Sequence, residues 1–167
     1  MSTASSAATW SEFASASPEL AERVQKRFDS HRHAVMATIR ADGSPRMSGM
    51  EAPIRDGHLW LGMEYESTKA GDLRRDPRFG LHSAPDDEAM TCGDARIEGH
   101  AVPADSELAT LFARGHRFEI DDPTRIALFT AEITRVVLVH VAEHALLVES
   151  WSPAGGMASH RLAGVSA

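Results

Sequence analysis

Two Asp-Gly pairs, Asp42-Gly43 and Asp56-Gly57, constrain the fold of this chain more than any other feature of its sequence. Each pair lies between short runs that are rich in apolar and β-branched residues. Asp-Gly in that position is the strongest short-range signal of a β-hairpin, because glycine accepts the positive φ that a tight turn requires. The flanking runs are HAVMATIR, PRMSGMEAPI and LWLGM. We therefore predict three antiparallel strands that form a meander.

The rest of the chain adds further strands and three helices. The runs RFGLHS, ARIEGHAVPA, RIALFTAEITRVVLVHV and HALLVESW have strand character, and the last two predict a long hairpin. Helices are predicted for SPELAERVQKRFDSH, for a segment from Ser67 or Thr68 to just before Pro77, and for SELATLFARGH. Six to seven antiparallel strands with about three flanking helices predict a mainly β (α+β) protein, a barrel or strongly curled sheet.

The 167 residues are expected to form one domain, because this length suffices for a single hydrophobic core. Residues 1–16 are small, polar and low in complexity, which predicts a flexible segment, although Trp10 and Phe13 offer two anchors to a surface. The domain itself is expected over residues 17–167. Its glycine-rich tail, SPAGGMASHRLAGVSA, is expected either to cover another part of the domain or to be mobile.

Composition and charge exclude several classes of function. A formal net charge of -7 argues against a general nucleic-acid-binding surface, which would be basic. No run approaches the roughly 18 consecutive apolar residues of a membrane span, and the N-terminus lacks the pattern of a secretory signal. We therefore expect a cytoplasmic protein with no membrane or nucleic-acid partner.

No metal site is predicted. Cys92 is the only cysteine, which excludes an intramolecular disulfide and a cysteine-based zinc cluster. His31 and His33 form an H-x-H pair that would share one face of a strand and could bind a metal. No cysteine or carboxylate pattern accompanies them, so two ordinary surface histidines are the preferred interpretation.

The stretch YESTKAGDLRRDPRFGLHS concentrates positive charge in an acidic chain. A helix that begins near Ser67 presents unpaired amides and the positive end of its dipole, and Lys69 adds a charge in the first turn. That combination suits a phosphate. The alternative is a solvated helix face on which the arginines pair with neighbouring aspartates. The residues of that alternative are Arg74, Arg75 and Arg78 with Asp72 and Asp76.

The order of these elements, and above all the motif STKAGDLRRDPRF, resembles the pyridoxamine 5'-phosphate oxidase-like, FMN-binding split-barrel superfamily. The likeness is closest to an actinobacterial branch of flavin- or deazaflavin-dependent oxidoreductases. It covers residues 30–103 in detail and continues loosely to SWSP. The resemblance implies a split β-barrel and a homodimer whose two cofactor sites lie at the interface. FMN or the 8-hydroxy-5-deazaflavin coenzyme is the implied cofactor.

The resemblance also implies which residues bind that cofactor. Its phosphate would be held by a strand arginine and by the start of the helix, and its ring would lie against the second and third strands. The phosphate-binding positions are Arg46, Ser67, Thr68 and Lys69. The ring-binding positions are Met47, Ser48, Gly49, Met50, Met63, Glu64 and Tyr65. Gly49 fits independently, since glycine inside a strand suits the close approach of a flat group.

Two departures separate the chain from the oxidase itself. Glu51 replaces a lysine of the oxidase, and a carboxylate beside a phosphate would repel it by about 1–4 kcal/mol at 4 Å. The Arg-Leu-His substrate motif is absent near the C-terminus. We therefore expect no true pyridoxamine phosphate oxidation.

The preferred interpretation is an oxidoreductase that transfers a hydride to or from a small organic substrate, with the cofactor carrying the chemistry. No catalytic residue is predicted; Tyr65 is a candidate proton donor, and packing at the strand end is its alternative. The alternative function is a non-catalytic carrier or sensor of haem, another tetrapyrrole or flavin on the same barrel. A third is a structural dimer partner without a ligand.

Overall fold

The computed structural model describes residues 6–85, 88–114 and 125–162. These residues form one antiparallel sheet of nine strands with four helices, and the predicted mainly β architecture is confirmed. The predicted number of six to seven strands is wrong, because one run splits into two strands and the tail adds another.

The bounds of the elements are as follows. The helices are α1 (Trp10–Ala16), α2 (Pro18–Asp29), α3 (Thr68–Arg75) and α4 (Ser106–Arg114). The strands are β1 (Ala34–Ile39), β2 (Pro45–Met50), β3 (Ile54–Arg55), β4 (His58–Glu64), β5 (Arg78–His82), β6 (Asp94–Pro103), β7 (Ile126–Ala142), β8 (Ala145–Ser152) and β9 (Gly156–Leu162). The main strand order is β2-β1-β5-β6-β7-β4-β3, and β8 pairs with both β7 and β9.

Both Asp-Gly pairs form hairpin turns as predicted. Gly43 has a φ of 84° between β1 and β2, and Asp56 and Gly57 have φ values of 55° and 78° between β3 and β4. The meander is wrong, because β4 pairs with β7 and no ladder joins it to β2 among the described residues. Residues 51–53, between β2 and β3, belong to no strand. One of them is Pro53, which has no N–H to donate to a neighbouring strand.

The second half of the chain supplies the centre of the sheet. Strand β7 pairs with β4, β6 and β8, and the predicted β7–β8 hairpin turns at Glu143 and His144. The register between β6 and β7 shifts between Glu98 and Gly99. The glycine-rich tail contains β9, which pairs with β8 and is exposed along its whole length.

Part of the predicted flexible N-terminal segment is helical. Thr9 caps α1, and its hydroxyl and main-chain N–H form a reciprocal capping box with Glu12. Trp10 and Phe13 are both buried, and the Phe13 ring lies 4.8 Å from that of Trp151. Residues 10–16 therefore pack on the sheet and extend its hydrophobic core.

The predicted short helix is confirmed as α3, directly after β4. The Ser67 hydroxyl accepts a 3.4 Å hydrogen bond from the amide of Ala70, and the helix ends before Pro77. Ala70 and Leu73 are buried, which fixes α3 against β1. The other two predicted helices are confirmed as α2 and α4, although Gly115, expected near the end of α4, lies outside the described residues. None of the helices in the described ranges is long and apolar enough to cross a membrane.

Candidate functional site

A cavity of about 390 Å³ opens between β2, β4 and the start of α3. Apolar side chains form one part of its wall, and charged side chains form the other. The apolar and glycine residues that line it are Gly49, Met50, Pro53, Gly62, Met63, Phe112 and Ile126. The charged and titratable residues are Arg32, His33, Glu51, Glu64 and Lys69. This combination suits a molecule with one apolar face and one anionic end.

The cavity contains five of the eleven residues that the sequence singled out. They are Gly49, Met50, Met63, Glu64 and Lys69. The other six, Arg46, Met47, Ser48, Tyr65, Ser67 and Thr68, lie outside its lining. Sequence reasoning did not assign Arg32, His33, Phe112 or Ile126 to the site. They come from the loop before β1, from α4 and from β7, and no local sequence signal shows that these segments border the cavity.

Lys69 reaches across the mouth of the cavity. Its Nζ donates a 3.1 Å hydrogen bond to the carbonyl oxygen of Gly49, which joins α3 to β2. Burial lowers the pKa of Lys69 below its ordinary value of 10.5. No carboxylate within the described residues forms an ion pair with this amine, so an anionic ligand would restore the stability of its charged form.

Strand β2 presents an open surface beside Lys69. A Cβ atom added at Gly49 would meet no heavy atom within 4 Å, so a flat group can lie directly against the backbone there. On the opposite face of the strand, the Ser48 hydroxyl oxygen is buried and makes no hydrogen bond. Buried polar atoms without a partner are rare in folded proteins, which marks β2 as a strand with unmet hydrogen-bonding capacity.

Arg46 belongs to a buried ion-pair network instead of the cavity wall. Its Nε donates a 2.6 Å hydrogen bond to Asp72 Oδ2, and the Thr38 hydroxyl donates to the same oxygen at 2.9 Å. Arg75 donates to the other oxygen of Asp72 at 3.2 Å and also to the carbonyl of Ile39. The structure therefore places Arg46 and Lys69 in different surroundings, and they do not form one cluster.

The arginines that follow Lys69 in the stretch of residues 65–83 are largely paired. This is what the alternative of a solvated helix face predicts. Arg78 forms a 2.6 Å ion pair with Asp76, and this guanidinium lowers the pKa of Asp76 to about 2. Arg74 donates a 2.9 Å hydrogen bond to the carbonyl oxygen of Tyr65 and stacks 4.0 Å from its ring centroid. Of the four cations, Lys69 alone lines the cavity within the described part of the chain.

Glu51 does not face the cavity as an unpaired carboxylate. Its Oε1 accepts a 2.8 Å hydrogen bond from Nε of Arg32, and both residues line the cavity. The repulsion that the sequence predicts between Glu51 and a phosphate is therefore offset by a cation from the loop before β1.

Tyr65, the candidate proton donor, lies beside a separate hollow of about 260 Å³ that also contains Glu64, Glu66 and Arg125. Its ring is half exposed and stacked on Arg74, which agrees with the packing alternative. His31 is exposed and contacts the Ser30 hydroxyl, whereas His33 lines the cavity. Within the described residues, no three His, Cys, Asp or Glu side chains are placed to hold a metal ion.

The antiparallel sheet, with a cavity of apolar and charged residues at the β2–β4–α3 corner, is of the split-barrel type. Residues 20–142 match the pyridoxamine 5'-phosphate oxidase family, and the chain belongs to that family. A search of curated proteins finds no match.

Solved structures share the fold at low sequence identity. PhzG from Burkholderia lata 383, in complex with tetrahydrophenazine-1-carboxylic acid, has a TM-score of 0.67 at 13% identity and covers 92% of each chain. A pyridoxamine 5'-phosphate oxidase-related, FMN-binding protein from Nostoc punctiforme PCC 73102 has a TM-score of 0.60 at 14% identity, covering 89% of this chain and 97% of that chain. A heme binding protein from Mycobacterium smegmatis has a TM-score of 0.54 at 16% identity, covering 88% and 89%.

Proposed function

We propose that this protein binds a flavin-type cofactor in the β2–β4–α3 cavity and acts as an oxidoreductase on a small organic substrate. The observation that carries the proposal is Lys69, whose amine has a lowered pKa and lies at the cavity mouth beside the open backbone of Gly49. Membership of the family and the FMN-binding relative from Nostoc punctiforme support the choice of cofactor.

The residues present fit such a cofactor. Lys69 offers a charge to a phosphate, and Gly49 leaves room for a flat ring beside the apolar side chains of Met50 and Met63. A bound flavin would supply the hydride-transfer chemistry. The protein then binds and orients the cofactor, and its apolar wall of Met63, Phe112 and Ile126 keeps water away from one side.

Two cofactors remain candidates, FMN and the 8-hydroxy-5-deazaflavin coenzyme. The deazaflavin tail carries additional acid groups, and we consider three arginines as partners for them: Arg40, Arg74 and Arg78. Arg78 is already paired with Asp76 and Arg74 with Tyr65, while Arg40 donates from Nε to the carbonyl of Pro45 at 3.3 Å and interacts electrostatically with Asp42. None of these three arginines lines the cavity, so a deazaflavin tail would have to extend beyond it to reach them.

The first test is a titration of the cofactor-stripped protein with FMN and with the deazaflavin coenzyme. Tight binding of one identifies the cofactor. Lys69→Ala should weaken that binding by about 1–3 kcal/mol, the range for losing a hydrogen bond to a charged group. The matched control is Lys26→Ala, because Lys26 is the only other lysine and pairs with Glu22 on the exposed face of α2. Equal affinities of wild type and Lys69→Ala would refute the assignment.

The pH dependence gives an independent check of the role of Lys69. Its lowered pKa means that the free protein loses this charge at a lower pH than an ordinary lysine would. A phosphate favours the charged amine, so affinity in the wild type should fall as the pH rises through that pKa. The affinity gap between wild type and Lys69→Ala should therefore narrow in alkaline buffer.

A non-catalytic haem carrier is the second candidate function, and His33 favours it. This histidine lines the cavity and is available as an axial ligand. The heme binding protein from Mycobacterium smegmatis has the same fold. Addition of haemin should then give an absorption spectrum of ligated haem that His33→Ala abolishes, whereas a flavin protein would show no such His33-dependent spectrum. Binding of neither cofactor type would leave a structural dimer partner as the remaining interpretation.

A further inference from the structure

The Arg32–Glu51 ion pair lies on the wall of the cavity and has no role in the proposal so far. We infer that Arg32 is a second anion-binding residue of this site, and that Glu51 is a positioning residue that holds Arg32 in place. The ligand class is a phosphate monoester. This inference rests on the proposed function for its choice of flavin ligand.

The geometry of the pair leaves the binding edge of the guanidinium available. Arg32 uses its Nε to donate to Glu51 at 2.8 Å, and its two terminal nitrogens make no hydrogen bond within the described residues. Those two nitrogens carry four N–H groups in one plane, which match the spacing of two phosphate oxygens. The Arg32 side chain is 63% exposed, so these groups are accessible to a ligand in the cavity.

Two cations and two carboxylates among the described residues lie on the wall of the cavity, so the role of each cation depends on its pairing. Its wall contains the carboxylates of Glu51 and Glu64, the cations Arg32 and Lys69, and the imidazole of His33. Lys69 as the sole binding cation would leave Glu51 to repel a dianion nearby. Pairing with Arg32 offsets the charge of Glu51, and the terminal nitrogens of Arg32 add directed donors beside the charge of Lys69.

Glu51 also explains why Arg32 can act from a loop. Arg32 precedes β1 by two residues, and a long side chain at such a position loses rotamer freedom when it binds a ligand. The hydrogen bond from Nε to Glu51 favours one orientation of the guanidinium plane before the ligand arrives. Binding then costs less conformational entropy than it would for a freely moving arginine.

The experiment measures FMN, riboflavin and inorganic phosphate binding to the cofactor-stripped protein. FMN and riboflavin are followed by flavin fluorescence, and phosphate by calorimetry. The comparison that isolates direct binding is Glu51→Ala against the double variant Arg32→Ala with Glu51→Ala. In that background Arg32 no longer has a carboxylate to neutralise. If Arg32 contacts the phosphate, adding Arg32→Ala to the Glu51→Ala variant should weaken FMN binding about tenfold and leave riboflavin binding unchanged.

The single variant Arg32→Ala should bind FMN more weakly than the double variant, because it leaves the Glu51 carboxylate unpaired beside the ligand. The matched control is Arg161→Ala, since Arg161 forms a comparably exposed ion pair with Glu143 far from the cavity. Circular dichroism of each variant checks that it is folded. Equal FMN affinities of the Glu51→Ala variant and the double variant would overturn the inference, because Arg32 would then only neutralise Glu51.

Failure of this inference differs from failure of the proposed function. If wild type binds FMN more tightly than riboflavin and the Arg32 effect is absent, the inference alone is wrong. If wild type binds inorganic phosphate in an Arg32-dependent way but binds neither FMN nor the deazaflavin coenzyme, the anion site stands and the flavin proposal is wrong. If wild type binds none of phosphate, FMN and the deazaflavin coenzyme, both are wrong.

Discussion

At the scale of single residues, Asp72 joins three elements of the fold through its two oxygens. Burial raises the pKa of the Asp72 carboxyl, but hydrogen bonds from Arg46, Thr38 and Arg75 lower it more, so the net pKa lies below the ordinary 3.8. The carboxylate is 4% exposed, and its partners come from β1, β2 and α3. It therefore holds the corner of the barrel where the cavity lies.

We predict that Asp72→Asn lowers the free energy of unfolding by about 3 kcal/mol at pH 7, because it leaves two arginines with an uncharged partner. Because the pKa of this carboxyl is lower in the folded protein than in the unfolded chain, the charged carboxylate stabilises the fold at pH values above the unfolded pKa. This stabilisation is lost as the pH falls through the folded pKa. The difference in free energy of unfolding between wild type and Asp72→Asn, measured by urea unfolding, should therefore shrink below about pH 4. Asp76→Asn is the control, since the hydrogen bonds of the Asp76 carboxylate go to Arg78, two residues along the chain, and do not join different elements of the sheet. A loss of stability equal to that of Asp72→Asn would contradict the prediction.

The candidate site was partly predictable at this scale. Lys69 was found because a lysine in the first turn of a capped helix has a local signature, and Gly49 because glycine interrupts a strand pattern. The partnership of Arg46 with Asp72 was not predictable, because it spans 26 residues and depends on how α3 packs on β1. Glu51 was recognised as an anomaly, but its partner Arg32 becomes visible only when the loop before β1 is placed in space.

At the scale of elements, local patterns predicted hairpins and helices well, and long-range pairing poorly. The Asp-Gly turns and the β7–β8 hairpin depend on residues that are neighbours in the chain, so a short stretch of sequence is enough to predict them. The pairing of β4 with β7 joins residues more than sixty positions apart, and no local signal specifies it. Helix α1 was missed because its low-complexity sequence hides two buried aromatic anchors, Trp10 and Phe13.

Gly99 is an element-scale feature that sequence patterns did not reveal. It lies where the β6–β7 register shifts, and an added Cβ would be 2.2 Å from the carbonyl oxygen of Glu132. We predict that Gly99→Ala lowers the free energy of unfolding by about 3 kcal/mol, because the clash is with backbone that cannot rotate away. Gly80→Ala is the matched control in β5, since its Cβ would lie 4.0 Å from that of Ala37, an ordinary contact. The urea unfolding midpoint of each variant measures its stability, provided that the m-values are equal. Equal midpoints for the two variants would contradict the prediction.

At the scale of the whole molecule, a mainly apolar patch lies on the outer face of the β2–β1–β5 region in a chain whose net charge is -7. Residues directly opposite one another on neighbouring strands share a face, so the strand registers identify the patch. Its members are Val35, Ala37, Ile39, Pro45, Met47, Gly49 and Gly80, with His82 opposite Val35 and Arg78 at the other end of β5. Met47 is 75% exposed, and Gly49 borders the cavity from the same face. We propose that a second copy of the chain covers this patch and closes the open side of the site.

We predict that Met47→Glu raises the dissociation constant of the dimer at least about a hundredfold, because a carboxylate would be buried without a partner. It should also weaken cofactor binding, since the cavity would lose its covering surface. Met157→Glu is the control, because Met157 is an exposed methionine on β9, which is not part of the patch. Light scattering after gel filtration gives the mass of each variant, and flavin fluorescence gives its affinity. A wild type that stays monomeric at micromolar concentration, or a Met47→Glu variant that remains dimeric, would show that this face is not the interface. A monomeric variant with unchanged flavin affinity would show that one copy forms the complete site.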